Sequence, residues 1–491
     1  MEAYLNYHWK NKPELQPLLD RLHMQHGSQP PRGDYAVFHW SEEVEAAGSR
    51  TRPAGGLRFH SPSMVVRAGN ETVRNGLLHM QGMPTSLARG RPGELLVIAD
   101  EYVVPVFHLE ALALFKKKSG LHLGKTPLNG PHAGGRLHLD WELLELAAPP
   151  GTTAGLQRRQ RGVMQEAVKA VYGLGLDAGL VRLGMSGSRA AVLAVDPLPQ
   201  LHGQLAELYA EALHRFAAGA GQAGRGDQLL LGADPEFMLR TPEGKVKSAA
   251  LFFARKGLVG CDAVMLRDRT ALFPLVELRP KPSGEPKQLI RHLRQAMQLA
   301  AARINMPDLE WLAGGMPMKG VTLGGHIHFS GIWLNSHLLR VLDNYLALPL
   351  MLLEADTARG RRPRYGFLGD FRRQPHGGFE YRTLPSWLVT PGLTKGVLAL
   401  ARLLALAHAR LHQRPLEEPA LRRAYYRGDK QLLYEAGRSV WEELRLLPEY
   451  RDAAPDAEPL QDMLDRGVSW NEQQDIRKLW RISPFNPVQG L

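Results

Sequence analysis

In the second half of the chain, ionisable and apolar positions alternate with a period of two in four short stretches. Asp234 and Glu236 flank Pro235 in "GADPEF", and Glu277 and Arg279 flank Leu278 in "LVELRP". His326 and His328 flank Ile327 in "LGGHIHFSG", and Glu380 and Arg382 flank Tyr381 in "GFEYRTLPSW". Side chains on a strand alternate between two faces. The pattern therefore predicts four strands with each ionisable pair on one face. Val276, Leu278, Ile327, Phe329, Phe379 and Tyr381 fall on the other face, which suits packing against helices. Between and after these stretches, Lys287 to Ile304, His337 to Asp356 and Leu393 to Leu411 carry apolar residues at three-to-four spacing, predicting helices. Past Arg414 the chain is charged and mostly helical in pattern, ending in "NEQQDIRKLWRISPFNPVQGL".

The first half has a different rhythm. Leu95 to Lys116 reads as strands and Leu156 to Tyr172 as a helix. "GLVRLGMSGSRAAVLAVDPLP" reads as two strands joined by a Gly-Ser turn. "AAPPGTTAG" (Ala147 to Gly155) interrupts this region. "AAGAGQAGRGD" (Ala217 to Asp227) is small and Gly-rich, and reads as an interdomain linker. The expected organisation is an α/β domain over 1–216, a linker over 217–227, a principal domain over 228–415 and a helical region over 416–491. The fold class is α+β.

Composition narrows the picture. Of 491 residues, 44% are hydrophobic, enough for more than one core. No apolar run approaches the roughly 20 residues of a membrane span, and the first residues lack the layout of a secretory signal. The expected compartment is the cytoplasm, with no membrane partner. Cys261 is the only cysteine, which excludes an internal disulfide and a Cys-rich zinc site. It reads as a small buried apolar side chain. The net charge of +12 allows an anionic partner. Its arginines are scattered, and no nucleic-acid-binding signature accompanies them.

One such alternating pair is ordinary for a half-exposed strand. Four within one region, built from Asp, Glu, His and Arg, point to chemistry. An aspartate and three glutamates on a shared surface repel one another, and burying them unpaired costs several kcal/mol each or forces them to neutralise. Divalent cations remove that cost. Carboxylate-rich donors suit Mg²⁺, and an imidazole ligand favours Mn²⁺ somewhat. Arg279 and Arg382 add planar forks for phosphate or carboxylate oxygens. Acids, metal and arginines together suit phosphoryl transfer, where catalysis is mostly positioning and charge neutralisation. Two other readings stay open: a metal-dependent amidohydrolase, because His-x-His also opens metal sites there, and a non-catalytic scaffold that keeps the fold.

"GGHIHFS" followed by "FEYRTLP" resembles the glutamine synthetase and glutamate–cysteine ligase superfamily. The set "GADPEF", "VELRP", "GGHIHFSG" and "FEYRTLPSW" is more similar still to the amidoligases, the phage-type carboxylate–amine (COOH–NH2) ligases of type 2. The likeness covers roughly Gln228 to Leu411. It implies an antiparallel sheet with metals on its concave face and helices behind. It also implies an ATP-dependent reaction in which a carboxylate becomes an acyl phosphate that an amine attacks. By motif match, Asp234, Glu236, Glu277, His326 and Glu380 would be metal ligands. Asp234 stands where glutamine synthetases commonly have Glu, which shortens its reach. His328 would approach the nucleotide phosphates and Arg382 the transferring phosphoryl group. Within "RGRRPRYGFLGDFRRQPHGG" (Arg359 to Gly378), Arg364 and Arg372 would reach the ATP phosphates or an acidic substrate. His376 reads as a turn residue. The implied cofactors are ATP with Mg²⁺ or Mn²⁺. The implied partners are a small molecule or peptide bearing a carboxylate, and an amine.

"EAVKAVYGLGLDAGLVRLGMSGSRAAVLAVDPLPQ" resembles the end of an ATP-grasp domain. Ala194 and Asp196 stand where two metal-binding carboxylates are expected, so such a domain would be degenerate. An unrelated α/β domain is the alternative. "SGLHLGKT" (Ser119 to Thr126) has Ser119 in place of the first glycine of a P-loop and no following helix. "GLGLDAG" lacks the helix of a dinucleotide fingerprint.

Overall fold

The computed structural model describes residues 1–30, 33–43, 56–85, 98–117, 141–146, 158–187, 189–222, 228–265 and 271–483. The chain divides into two compact units, Met1–Gly224 with Trp333–His337, and Arg225–Ile332 with Leu338–Leu491. The stretches 119–126 and 147–155 lie outside the described residues.

The first unit holds two sheets. Strands β1 (Glu2–Tyr7), β2 (Gln25–Gly27), β3 (Tyr35–Trp40) and β4 (Leu57–Phe59) form a parallel sheet in the order β2-β1-β3-β4. Strands β5 (Asp100–Phe107), β6 (Glu110–Ala111), β7 (Ala113–Lys117), β8 (Trp141–Leu146), β9 (Ala178–Ser186) and β10 (Arg189–Asp196) form an antiparallel sheet. Its order is β10-β9-β5-β7-β8, with β6 on β5. The helix Arg158–Gly173 buries Val163, Ala167, Ala170 and Val171 in one core with Val104, Val181 and Leu183.

The division between the units falls within the expected linker, but its first residues are helical. Ala217 to Gly221, read as the start of a linker, form the last turns of the helix Gln204–Gly221. Small residues made this stretch look flexible, but tertiary packing decides. Phe216 and Ala220 are buried, and Phe216 meets Phe59, Phe107 and Trp333 edge-on. Gly219 lies against the Trp333 indole, which a Cβ would overlap. Residues 223–227 of the expected linker are outside the described residues.

The second unit is built on one antiparallel sheet. Its strands are β11 (Leu230–Arg240), β12 (Val246–Lys247), β13 (Val259–Met265), β14 (Ala271–Leu278), β15 (Glu310–Leu312), β16 (Gly325–Ser330), β17 (Phe371–Arg373) and β18 (Phe379–Tyr381). Their order is β13-β14-β11-β16-β18-β17, and β12 and β15 also pair with β11. All four alternating stretches contribute strands to this sheet. The apolar face is buried as its pattern requires: Val276, Leu278, Ile327, Phe329 and Tyr381 are fully covered. The helix Pro286–Arg303 packs on β11, β13 and β14. Cys261 on β13 is buried.

The helix Pro391–Ala407 starts at Thr390, whose hydroxyl accepts the Leu393 N–H at 3.0 Å. With its following turn, residues 391–410 are long and apolar enough to cross a membrane, by length and composition only. The sequence reading found no such run, because Lys395 and Arg402 interrupt it. This helix is 72% buried inside the protein, as a core helix apolar nearly all round would be. The C-terminal segment returns to the body of the unit. Glu472 accepts N–H bonds from Gly315 (2.5 Å) and Met316 (3.1 Å), and the Trp480 indole donates to the Leu388 carbonyl at 2.8 Å.

Candidate functional site

Strand pairing turns the four local patterns into one row. Asp234 of β11 stands opposite His326 of β16, and Glu236 of β11 opposite Glu277 of β14. His328 stands opposite Glu380 of β18, and Glu380 opposite Arg372 of β17. Partners across a ladder share a face. Carboxylates and imidazoles from four strands therefore adjoin.

The centre is dense with charge. His326 Nδ1 lies 3.1 Å from both Asp234 Oδ1 and Glu380 Oε1, and His328 Nε2 lies 3.1 Å from Asp234 Oδ2. Glu380, wholly buried, receives Arg372 Nε at 2.8 Å, Gln374 Nε2 at 3.0 Å and Arg382 Nε at 3.0 Å. Arg382 also reaches Asp370 at 3.8 Å. At the other end Glu236 Oε2 accepts the Gly324 N–H at 2.6 Å, and Glu277 pairs with Arg279.

These contacts set the protonation pattern. Burial opposes ionisation of Asp234, but the charge and hydrogen bonds of the two histidines hold it well below the usual carboxylate range. Burial also opposes ionisation of Glu380, which His326 and Arg372 nevertheless pull down to about 2. His326 is disfavoured as a cation by burial, yet the surrounding carboxylates, Asp234 foremost, push it up to about 10. Desolvation pushes Glu236 up to about 7. Desolvation together with the charge of Asp234 pushes Glu277 up to about 8. Without a metal, the centre holds an imidazolium between two carboxylates, and the Glu236–Glu277 end retains protons.

The donors fit a hard divalent cation. Single ligand atoms of Asp234, His328 and Glu380 all lie within 4.8 Å of one another. Asp234 Oδ1 and His328 Nε2 are buried, each 3.1 Å from another ionisable group of the cluster. Two carboxylates and one imidazole suit Mg²⁺ or Mn²⁺.

The family described as phage phiEco32-like COOH.NH2 ligase, type 2, matches residues 231–482. The chain belongs to this family. The match runs beyond the four strand motifs and takes in the C-terminal helices as far as Ile482. Among solved structures, a bifunctional glutathione synthetase from Pasteurella multocida is 12% identical, with 54% of this chain and 53% of that one covered and a TM-score of 0.34. A glutamate–cysteine ligase from Francisella tularensis in complex with AMP is 11% identical, covering 48% and 82% at a TM-score of 0.31. The ATP-grasp ligase PsnB with its minimal precursor is 11% identical, covering 44% and 99% at a TM-score of 0.28. No curated protein matches.

Within this COOH–NH2 ligase sheet, the sequence-selected residues take distinct places. Asp234, His326, His328, Glu380, Arg372 and Arg382 converge. The three-donor set contains His328, whereas His326 bridges the two acids. Glu236 and Glu277 continue the row toward β13, with Glu236 engaged by the turn at Gly324. Arg364 lies outside the strand row; it is exposed, its guanidinium 5.3 Å from the centre of the Tyr365 ring. Two neighbouring arginines are structural. Arg361 is buried and donates to the Thr383 and Leu384 carbonyls at 2.8 and 2.7 Å, while Arg362 is buried against Glu354. His376 accepts the Gly378 N–H at 3.3 Å within a turn.

Three residues escaped the sequence reading. Asp370 and Gln374 bracket Arg372 at two-residue spacing, the same alternation that revealed the other pairs. Asp262 of β13 acts electrostatically on both Glu236 and Glu277. Its signal is a lone acid in the otherwise apolar run "VGCDAVM".

Proposed function

We propose that this family member is an ATP- and Mg²⁺-dependent ligase that joins a carboxylate to an amine. One observation carries the reading: donors of Asp234, His328 and Glu380, from three different strands, lie within 4.8 Å of one another with arginines beside them. On this reading the sheet is the glutamine synthetase-like one, and its ionisable face is the reaction surface.

Mg²⁺ or Mn²⁺ held by Asp234, His328 and Glu380 would neutralise the carboxylates and the charge of the nucleotide phosphates. Glu236 and Glu277 are placed to extend that ligand set. Arg372 and Arg382 each keep donors beyond those spent on Glu380, and both are partly exposed. They are suited to grip phosphoryl oxygens as charge builds on them. His326 keeps Asp234 and Glu380 apart at a fixed spacing. In the overall reaction a carboxylate oxygen takes the γ-phosphoryl group and ADP leaves. The amine nitrogen then attacks the acyl carbon, phosphate leaves with the C–O bonding pair, and the amine gives up a proton.

The test is calorimetric titration of a non-hydrolysable ATP analogue with and without Mg²⁺, followed by a screen for condensation products with and without ATP. Metal-dependent nucleotide binding and ATP-dependent amide products are expected. Product formation that ignores ATP would replace this reading with hydrolysis run in reverse. Absence of metal-linked nucleotide binding would reduce the protein to a scaffold.

A further inference from the structure

The β13 end of the row has its own cationic equipment, which the catalytic reading leaves unused. Arg279 is fixed there from three directions. Its guanidinium pairs with Glu277, reaches the Gly257 carbonyl at 3.4 Å, and lies across Gly260, where any Cβ would overlap it. The Gly260 Cβ position also lies 3.0 Å from the Arg255 carbonyl. The absent side chain at Gly260 is therefore what lets Arg279 sit over β13.

Next to it, residues 254–258 form an exposed turn leading into β13. Arg255 stacks its guanidinium 5.5 Å from the centre of the Phe273 ring of β14. Among the described residues, neither Arg255 nor Lys256 makes an ion pair within 4 Å. Leu258 and Leu251 stand beside them, 43% and 66% exposed. Three cations thus line one sheet edge, with two bare leucines among them. Arg372 and Arg382 at the opposite end are already engaged with carboxylates.

We propose that Arg255, Lys256 and Arg279 form a docking edge for an acidic peptide segment, so that the carboxylate substrate of the ligase is peptide-borne. The substrate class rests on the ligase reading. A single small acid would engage one cation and ignore the leucines. An extended chain with carboxylates and apolar side chains uses the whole edge. Nucleic acid fits less well, because the Phe273 ring is covered by Arg255 and gives no stacking platform.

The test is fluorescence anisotropy with a labelled peptide of alternating glutamate and leucine. A glutamine-for-glutamate version and a labelled oligouridylate serve as controls, and MgADP affinity is measured separately. The acidic peptide should bind, and its glutamine version should bind at least about tenfold more weakly. The Arg255→Ala/Lys256→Ala double variant, altered only at exposed positions, should lose about tenfold in peptide affinity while keeping its MgADP affinity. Gly260→Ala should weaken the peptide similarly by displacing Arg279. Unchanged peptide binding in the double variant would overturn the proposal. So would tighter binding of oligouridylate, which would assign the edge to nucleic acid, or a loss confined to MgADP, which would assign it to phosphates. Failure of the ligase reading itself would show as wild-type protein without metal-linked nucleotide binding, whatever the peptide does.

Discussion

The protonated His326 makes metal binding a proton-release reaction, and its pH dependence can be worked out from the site. His326 Nδ1 lies 3.1 Å from Asp234 Oδ1 and Glu380 Oε1. Burial opposes its charge, but the carboxylates raise its proton affinity to about 10. A divalent cation taken up by Asp234, His328 and Glu380 withdraws the negative charge that holds this proton. Below pH 10 each ion bound should therefore expel the His326 proton. One proton released per ion gives an affinity that rises up to roughly tenfold per pH unit, or about 100-fold between pH 6.5 and 8.5. Glu236 and Glu277, at about 7 and about 8, change affinity in the same direction if they join the ligand set. The assay is a Mn²⁺ titration followed by electron paramagnetic resonance of the free ion. Calorimetry in two buffers of different ionisation heat counts the protons. The variant His326→Asn should still bind Mn²⁺ with a flatter pH slope, whereas His328→Asn should lose the ion. A pH-independent affinity with no proton release would refute the imidazolium bridge. Loss of Mn²⁺ in His326→Asn but not in His328→Asn would return the ligand role to His326, as the family resemblance implies.

Other consequences are simpler. Glu380→Gln keeps the side chain's size but leaves one acceptor oxygen for Arg372 and Arg382 and removes a charged ligand, so Mn²⁺ affinity should fall at least about tenfold with the circular dichroism spectrum unchanged. Gly324→Ala places a Cβ 2.5 Å from His326 Nε2; Mn²⁺ affinity should drop, and wild-type affinity in this variant would show that the turn does not position the histidine. The metal-free protein should melt at lower temperature at pH 8.5 than at pH 6.5. His326, Glu236 and Glu277 all bind protons more tightly folded than unfolded, so their contribution fades as pH climbs toward their folded values. Saturating Mg²⁺ should narrow that gap, and a melting temperature rising with pH would contradict the sign. Glu354→Ala strands the buried Arg362 and should cost about 3–5 kcal/mol in chemical denaturation without affecting Mn²⁺ affinity.

Period-two alternation made the four motif strands and their ionisable face legible, because a strand's two faces are written directly into its residue order. It did not reveal which strands would be neighbours. β11 lies between β14 and β16, and β13 reaches the sheet only through β14. The Gly-rich stretch at 217–221 misled for a related reason: its helix is held by Phe216, Ala220 and Trp333, and the last of these is more than a hundred residues away in sequence. Arg361 and Arg362, in the same arginine-rich stretch as Arg364 and Arg372, serve the interior, which charge alone does not distinguish.

The two histidines show where local pattern stops carrying information. His326 and His328 occupy the same face, and sliding β16 by two residues along β11 would keep every polar side chain on that face. It would also separate Asp234 from His326 and destroy the centre. The chemistry therefore lives in the register, and the register is held by residues without chemistry of their own. At Gly325 a Cβ would lie 2.5 Å from the Pro385 carbonyl and 2.7 Å from the Trp387 indole, whose N–H donates to the Gly325 carbonyl at 2.8 Å. Glu236 N–H donates to the Gly324 carbonyl at 2.9 Å, and its side chain takes the Gly324 N–H in return. Only a glycine at 325 fits where Pro385 and Trp387 close over it. The paired glycines before His-x-His thus act as the pin that sets Asp234 against His326 and, one strand over, His328 against Glu380.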